Sequence, residues 1–209
     1  RTQLTATVRY LSQIAKKEGY HKPQQLWLPV LPESITLEKL EKYIKEMLNG
    51  QNELIDSKIY AQKISGTNIF RSKIEIPIGL WDDPENQQQK PLVLSFTEKG
   101  NYAVCGMPMS GRSTLIQTTV YGLIHRYTPD ELNIYILDFS NKMLGVFEDE
   151  SHIGGILYEN DNEGVERFFH MLEHMLEERK ELFSGGSYQQ YLSSHTEKCP
   201  AVLIAIDNI

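Results

Sequence analysis

Nine residues, Gly106-Met107-Pro108-Met109-Ser110-Gly111-Arg112-Ser113-Thr114, constrain this chain more than any other stretch. They follow an apolar segment, Tyr102 to Cys105, and precede Leu115, Ile116, Thr119 and Leu123, which recur at helical spacing. Strand, glycine turn and helix in that order predict a phosphate-binding loop. The glycines permit positive φ and close backbone approach. The amides of Gly111, Arg112, Ser113 and Thr114 are expected to converge at the helix N-terminus, where the dipole favours an anion. Pro108 lacks an N–H but stands early in the turn, where a donor is least needed. The pattern is G-x-x-x-x-G-K-[ST] with Arg112 in the lysine position. Gly106, Ser110, Gly111, Arg112, Ser113 and Thr114 are therefore the expected nucleotide-binding residues, with Ser113 reaching the Mg²⁺ that accompanies ATP. The blander reading is a chance glycine turn ahead of a helix; the strand and helix on either side favour the phosphate loop.

Arg112 changes the chemistry expected there. A lysine is a compact point charge that reaches the β- and γ-phosphates, whereas arginine is longer, planar and forked. It neutralises phosphate with a different geometry, so transition-state stabilisation is expected to suffer. The loop also needs an acid at the end of an apolar strand to hold Mg²⁺ through its water shell. Two segments qualify: Ile134-Tyr135-Ile136-Leu137-Asp138, and Ala201 to Ile206 followed by Asp207. Asp207 is preferred because its strand is longer and wholly apolar; Asp138 remains the alternative. In hydrolytic enzymes of this kind a glutamate follows that aspartate and polarises the attacking water. Here Asn208 follows, and an amide cannot act as a general base. Two departures in two separate roles predict a site that binds nucleotide and turns it over poorly or not at all.

Along the chain, residues 2–18 read as a helix through Leu4, Val8, Leu11 and Ile14, and Thr36 to Leu48 as a second, with a proline-bearing connector between. Residues 1–72 are read as a helical linker or appendage, and 73–209 as the nucleotide-binding module. Within the module, Lys73 to Ile78 reads as a short strand and Asp82 to Lys90 as a polar loop. Pro91 to Thr97 and Asn101 to Cys105 read as strands of a hairpin turning at Glu98-Lys99-Gly100. The strand to Leu137, a strand Ile153 to Tyr158, a helix Glu163 to Phe183 and the strand Ala201 to Ile206 follow. Strands alternating with helices, two of the strands almost wholly apolar, imply a mostly parallel sheet covered by helices on both faces, and with the phosphate loop an α/β fold of the P-loop class.

The chain has 209 residues and a net charge of −7. That charge opposes a polyphosphate backbone and counts against nucleic acid as the partner. No apolar run approaches the roughly 20 residues that span a bilayer. Arg1 is not an initiator methionine, so the chain is expected to be part of something longer. Cys105 and Cys199 show no metal or disulfide spacing and are expected as buried, reduced thiols. His170-Met171-Leu172-Glu173-His174 matches an inverted zinc-protease motif. The apolar stripe Val165, Phe168, Phe169, Leu172, Leu176 and Phe183 puts both histidines toward solvent, so a hydrated helix face is the better reading. Arg179 falls near that stripe and is expected to snorkel or to pair with a buried acid, with a subunit-interface role as the lesser alternative. Trp27 and Trp81 are expected in the core, with docking anchors as the alternative.

Several segments together resemble one family. Ile78-Gly79-Leu80-Trp81-Asp82-Asp83-Pro84-Glu85-Asn86-Gln87, Tyr135-Ile136-Leu137-Asp138-Phe139-Ser140, Ser151-His152-Ile153-Gly154-Gly155, Glu177 to Phe183 and Val202 to Asn208 are similar to an ATPase module of the EssC/EccC proteins, the FtsK/SpoIIIE-type motors of type VII secretion. The resemblance covers about residues 74–209, and more weakly the preceding linker at Leu26 to Pro32. It implies a membrane-anchored protein with three tandem ATPase modules on the cytoplasmic face of a bacterial membrane. This chain is most like the second module of a Firmicutes EssC, with the third as runner-up. The implied partners are the other modules of the same chain, small secreted helical hairpins of the WXG100 type and further copies in a hexamer. It implies ATP and Mg²⁺ as ligands, with lysine expected where Arg112 stands and, in active modules, glutamate where Asn208 stands. A RecA-like sheet has further strands after the one ending at Asp207, so the sheet is expected to be incomplete at the C-terminus. Three functions stay open: a degenerate ATP-binding module with a regulatory or structural role, an ATPase completed by a neighbouring subunit, and a nucleotide-free docking platform for substrate or linker peptides.

Overall fold

The computed structural model of the protein describes residues 2–20, 29–48, 73–194 and 199–208. They divide into two compact units, one of Arg1–Ser34 with Leu80–Lys90, the other of Ile35–Gly79 with Pro91–Ile209.

In the first unit, α1 (Gln3–Lys17) forms where the apolar spacing predicts it and stops at Gly19, whose φ is +78°. None of its stripe residues is buried. The unit also holds the outer part of a two-stranded sheet, β1 (Glu75–Asp83) and β2 (Gln88–Ser95), which turns over residues 84–87. The expected polar loop from Asp82 to Lys90 is thus mostly strand. Cross-strand side-chain pairs account for the difference. Lys90 Nζ lies 2.7 Å from the Asp83 carboxylate and 5.3 Å from the centre of the Trp81 ring. Trp81 is therefore not a core residue: it is 42% exposed, with a lysine over its face. Trp27 lies outside the described residues.

In the second unit three parallel strands stand in the order β4-β3-β5: β3 (Leu132–Asp138), β4 (Ile153–Tyr158) and β5 (Ala201–Asp207). Central β3 is buried on both faces, as its unbroken apolar run predicts. A short helix α3 (Phe96–Lys99) follows β2. Helix α4 (Arg112–Arg126) packs on β5, and its Val120 and Leu123 join Ile134, Ile136, Leu144 and Phe147 in the core. Helix α2 (Leu37–Leu48), begun by Thr36 Oγ1 accepting from the Lys39 amide, buries Leu40 and Ile44. A Cβ on Gly122 of α4 would meet Ile76 at 2.5 Å and Leu37 at 3.6 Å, so α2, β1 and α4 are in close contact.

Two further differences concern the same region. The hairpin expected at Glu98-Lys99-Gly100 is instead α3, closed by Gly100 at φ +74°. Asn101 to Cys105 is exposed and not a strand. Its apolar residues suit a ladder, but a strand needs a hydrogen-bonded neighbour, and none pairs with it among the described residues. Cys105 is accordingly exposed, against expectation, whereas Cys199 is buried.

Helices α5 (Asn162–Phe183) and α6 (Tyr188–Ser194) complete the unit. The inward face of α5 runs through Gly164, Phe168, Leu172, Met175 and Arg179. Phe169 and Leu176, expected in the core, are exposed, because Phe168 docks on Tyr135 and fixes the helix rotation. His170 and His174 face solvent beside Glu173 and Glu178, as expected.

Candidate nucleotide site

The loop from Gly106 to Thr114 folds back on itself. Ser110 donates its amide to the Met107 carbonyl at 3.1 Å, and Met109 takes a left-handed φ of +62°. A Cβ at Gly106 would lie 2.5 Å from Ser110 Oγ and 3.5 Å from Arg112 Cγ, so the Ser110 hydroxyl occupies the space that a side chain at 106 would take. Gly111 caps α4 with φ +90° and ψ +18°, a conformation that suits a residue without Cβ. The first main-chain bond of the helix is Leu115 amide to Gly111 carbonyl at 2.9 Å. The amides of Arg112, Ser113 and Thr114 precede it and have no intrahelical acceptor. Among the described residues no carboxylate pairs with the Arg112 guanidinium. The result is a run of main-chain donors at the positive end of a 15-residue helix.

The two candidate acids stand side by side, Asp138 opposite Asp207 in the register of β3 and β5. Their environments differ. Asp138, 2% exposed, accepts from the amides of Ser140 at 3.2 Å, Lys142 at 3.3 Å and Leu144 at 3.0 Å. Those bonds organise the turn into a 3-10 helix, Met143–Phe147, and leave neither oxygen bare. Asp207 is 5% exposed, and its Oδ2 is buried without a hydrogen-bond partner among the described residues. A buried bare carboxylate oxygen costs free energy unless something polar meets it, and a hydrated cation is such a group. Asn208 adopts φ +65°, which asparagine tolerates, and its amide lies 3.5 Å from the Phe139 carbonyl.

The structure thus brings Gly106, Ser110 and Arg112 together, and sets Asp207 beside Asp138 at the same strand end. Helix α4 and β5, which carry the two halves of the site, pack on each other. These residues suit a Mg²⁺-bound nucleotide: free main-chain donors and a guanidinium for phosphate, and an unpaired acid for the cation's water shell. Sequence reasoning missed the anchoring of Asp138 and the role of His152. That histidine is buried, with Nε2 2.9 Å from the carbonyl of Tyr127, the C-cap of α4. Tyr158 at the end of β4 carries Lys142 Nζ over its ring at 5.0 Å. Burial first, then Glu148 and Asp138, push its phenol pKa up.

A parallel sheet with a glycine-rich loop opening the helix packed on it defines an α/β protein of the P-loop class. The chain belongs to the FtsK/SpoIIIE family, whose model matches residues 59–201. It is 25% identical over 211 aligned residues to the type VII secretion system protein EssC of Staphylococcus aureus, covering 99% of this chain and 13% of that protein. Among solved structures it is similar to EssC ATPases 2 and 3 from Geobacillus thermodenitrificans, with TM-score 0.61, 28% identity, and coverage of 67% of this chain and 27% of that one. It is also similar to Thermomonospora curvata EccC ATPases 2 and 3 in complex with a signal sequence peptide, with TM-score 0.59, 25% identity, and coverage of 69% and 28%. The chain thus spans a small part of the curated relative. Among the described residues no helix is long and apolar enough to cross a membrane.

Proposed function

We propose that this chain is a degenerate ATP-binding module of a type VII secretion motor, with a regulatory or structural role and little or no hydrolysis. The observation that carries the reading is the bare, buried Oδ2 of Asp207 beside the saturated Asp138. Of the two acids, Asp207 is the one with an oxygen that no donor meets among the described residues. In this reading residues 73–209 form the module and 1–72 its linker. The amides at Gly111 to Thr114 and the Arg112 guanidinium hold phosphate, while Ser113 and Asp207 hold Mg²⁺. Bound nucleotide supplies charge that neutralises Arg112 and satisfies the helix N-terminus. It stabilises the module by linkage. Arg112 and Asn208 weaken the two catalytic roles they occupy. The parent protein is membrane-anchored with this module in the cytoplasm, and the module works beside its sister modules, in a hexamer, on WXG100-type cargo.

A thermal-unfolding titration with Mg-ATP tests this. The expected result is a saturable rise in melting temperature, about 2.7 kcal/mol of stabilisation at 100-fold excess over Kd, without phosphate release. An unchanged melting temperature at millimolar Mg-ATP counts against it. Sustained turnover that Asp207→Ala abolishes supports instead an ATPase completed by its neighbours. The second reading, a nucleotide-free docking platform, is favoured by the peptide complex of the similar EccC modules. Its mark is peptide binding that Mg-ATP neither requires nor alters.

A further inference from the structure

Asp207 can serve a metal-bound nucleotide only if β5 keeps its axial position. One edge of β5 pairs with β3, from Leu132 opposite Ala201 to Asp138 opposite Asp207. No strand among the described residues pairs with the other edge. A one-residue slip sends every side chain of a strand to the opposite face, and here it brings Ile206 or Asn208 to the place of Asp207.

Just ahead of β5, two consecutive carbonyls are each held by a side chain from a different helix. Arg179 on α5 donates through Nη2 to the Pro200 carbonyl at 2.7 Å. Tyr188 on α6 donates its hydroxyl to the Cys199 carbonyl at 2.8 Å. The next residue, Ala201, donates its amide to the Glu131 carbonyl at 2.8 Å and begins the ladder with β3. The two helices are locked together at this point, since Phe183 of α5 lies 6.0 Å from the ring of Tyr188 and 5.2 Å from that of Tyr191. Arg179 therefore places a charged donor on the main chain, and among the described residues it forms no ion pair with an acid. Burial pushes the Tyr188 phenol up to about 12, so it stays a donor at any ordinary pH.

We infer that Arg179 and Tyr188 are positioning residues that anchor the chain at Cys199–Pro200 and so hold Asp207 in register for a Mg²⁺-bound nucleotide at the far end of β5. The inference rests on the nucleotide reading above. It differs from a merely structural role in one respect: it acts through Asp207, and hence on the Mg²⁺-dependent part of binding alone.

The test measures affinity for a fluorescent ATP analogue with Mg²⁺ and with EDTA, in the wild type, Arg179→Gln, Arg179→Lys, Tyr188→Phe and Asp207→Ala. Arg179→Gln is expected to reduce the Mg²⁺ enhancement about fivefold, an effect of the size seen between coupled residues, and to leave affinity in EDTA within about twofold. Arg179→Lys keeps a donor and restores most of the enhancement. Tyr188→Phe, the milder change, lowers it in the same direction. In an Asp207→Ala background Arg179→Gln adds nothing further. Equal losses with and without Mg²⁺, or additivity with Asp207→Ala, overturn the inference. A wild type with an enhancement that neither Arg179→Gln nor Tyr188→Phe alters overturns it alone. A wild type that binds no analogue overturns the nucleotide reading, and this inference with it.

Discussion

Asp138 and Asp207 are neighbours in register on adjacent parallel strands, yet one carboxylate accepts three main-chain amides while the other keeps a buried oxygen that meets no donor among the described residues. Asp138 organises the turn after β3; in the proposed reading Asp207 serves the Mg²⁺ of a bound nucleotide.

The two aspartates should therefore respond in opposite ways to alanine. Asp138→Ala strands the amides of Ser140, Lys142 and Leu144 and loosens the 3-10 turn, at a cost of about 3 kcal/mol. Asp207→Ala removes a poorly solvated oxygen and leaves stability unchanged or raised by up to about 1 kcal/mol, while removing Mg²⁺-dependent nucleotide binding. Urea denaturation of both variants, with nucleotide affinity measured alongside, checks the pair. Equal destabilisation by both contradicts the assignment.

The glycines of the loop should also separate. Gly111→Ala must adopt φ +90°, a strained conformation for an L-residue, and should cost about 1–2 kcal/mol in stability and weaken anion binding. Gly106→Ala meets one atom closely, Ser110 Oγ, which can turn away, with Arg112 Cγ and Ser110 Cβ at ordinary contact distance. It should leave stability nearly unchanged and reduce nucleotide affinity by turning the Ser110 hydroxyl out of its place. Thermal unfolding and a nucleotide titration distinguish the two.

Arg112→Lys should raise affinity for Mg-ATP several-fold, roughly 1 kcal/mol, because a point charge suits the β- and γ-phosphates better than a forked guanidinium. It should not create turnover by itself, since Asn208 still offers no general base. Phosphate release by Arg112→Lys alone shows that the base comes from elsewhere.

Tyr188 gives the module an alkaline limit. Burial first and Cys199 next push its phenol from the usual 10.0 up to about 12. A raised pKa means the folded state holds the proton more tightly than the unfolded chain. The contribution is complete below pH 10 and is lost as pH rises toward 12. Unfolding free energy should fall across that window in the wild type, and the Tyr188→Phe variant should lack that share of the fall.

At the other side of the sheet, Gly154 faces the Tyr135 ring, which an added Cβ would meet at 2.4 Å. Gly154→Ala should destabilise by about 1–3 kcal/mol, the range for overpacking, by displacing Tyr135 from Phe168. Near-ultraviolet circular dichroism of the tyrosines reports the displacement.

Local pattern was enough for β3, β4, β5, α4 and α5, whose apolar periods are long and whose ends carry clear stop signals. It was not enough for Asn101 to Cys105, where apolar content alone suggested a strand. Nor did it separate Phe168 from Phe169, adjacent on one helix with similar hydrophobicity. A strand depends on a partner and a helix rotation on what it docks against, and neither is a property of the segment itself.

What the sequence determined by itself is the glycine-rich turn with Arg112 at the start of α4 and the order β3, β4, α5, β5 that follows it, because φ freedom, helical period and residue chemistry are local. Only the tertiary structure decided which aspartate keeps a free oxygen, since that depends on which amides another loop brings to it. It alone showed Arg179 and Tyr188 gripping the Cys199 and Pro200 carbonyls. Hydrogen-bond satisfaction is settled between segments distant in sequence, and no window of the chain contains both partners.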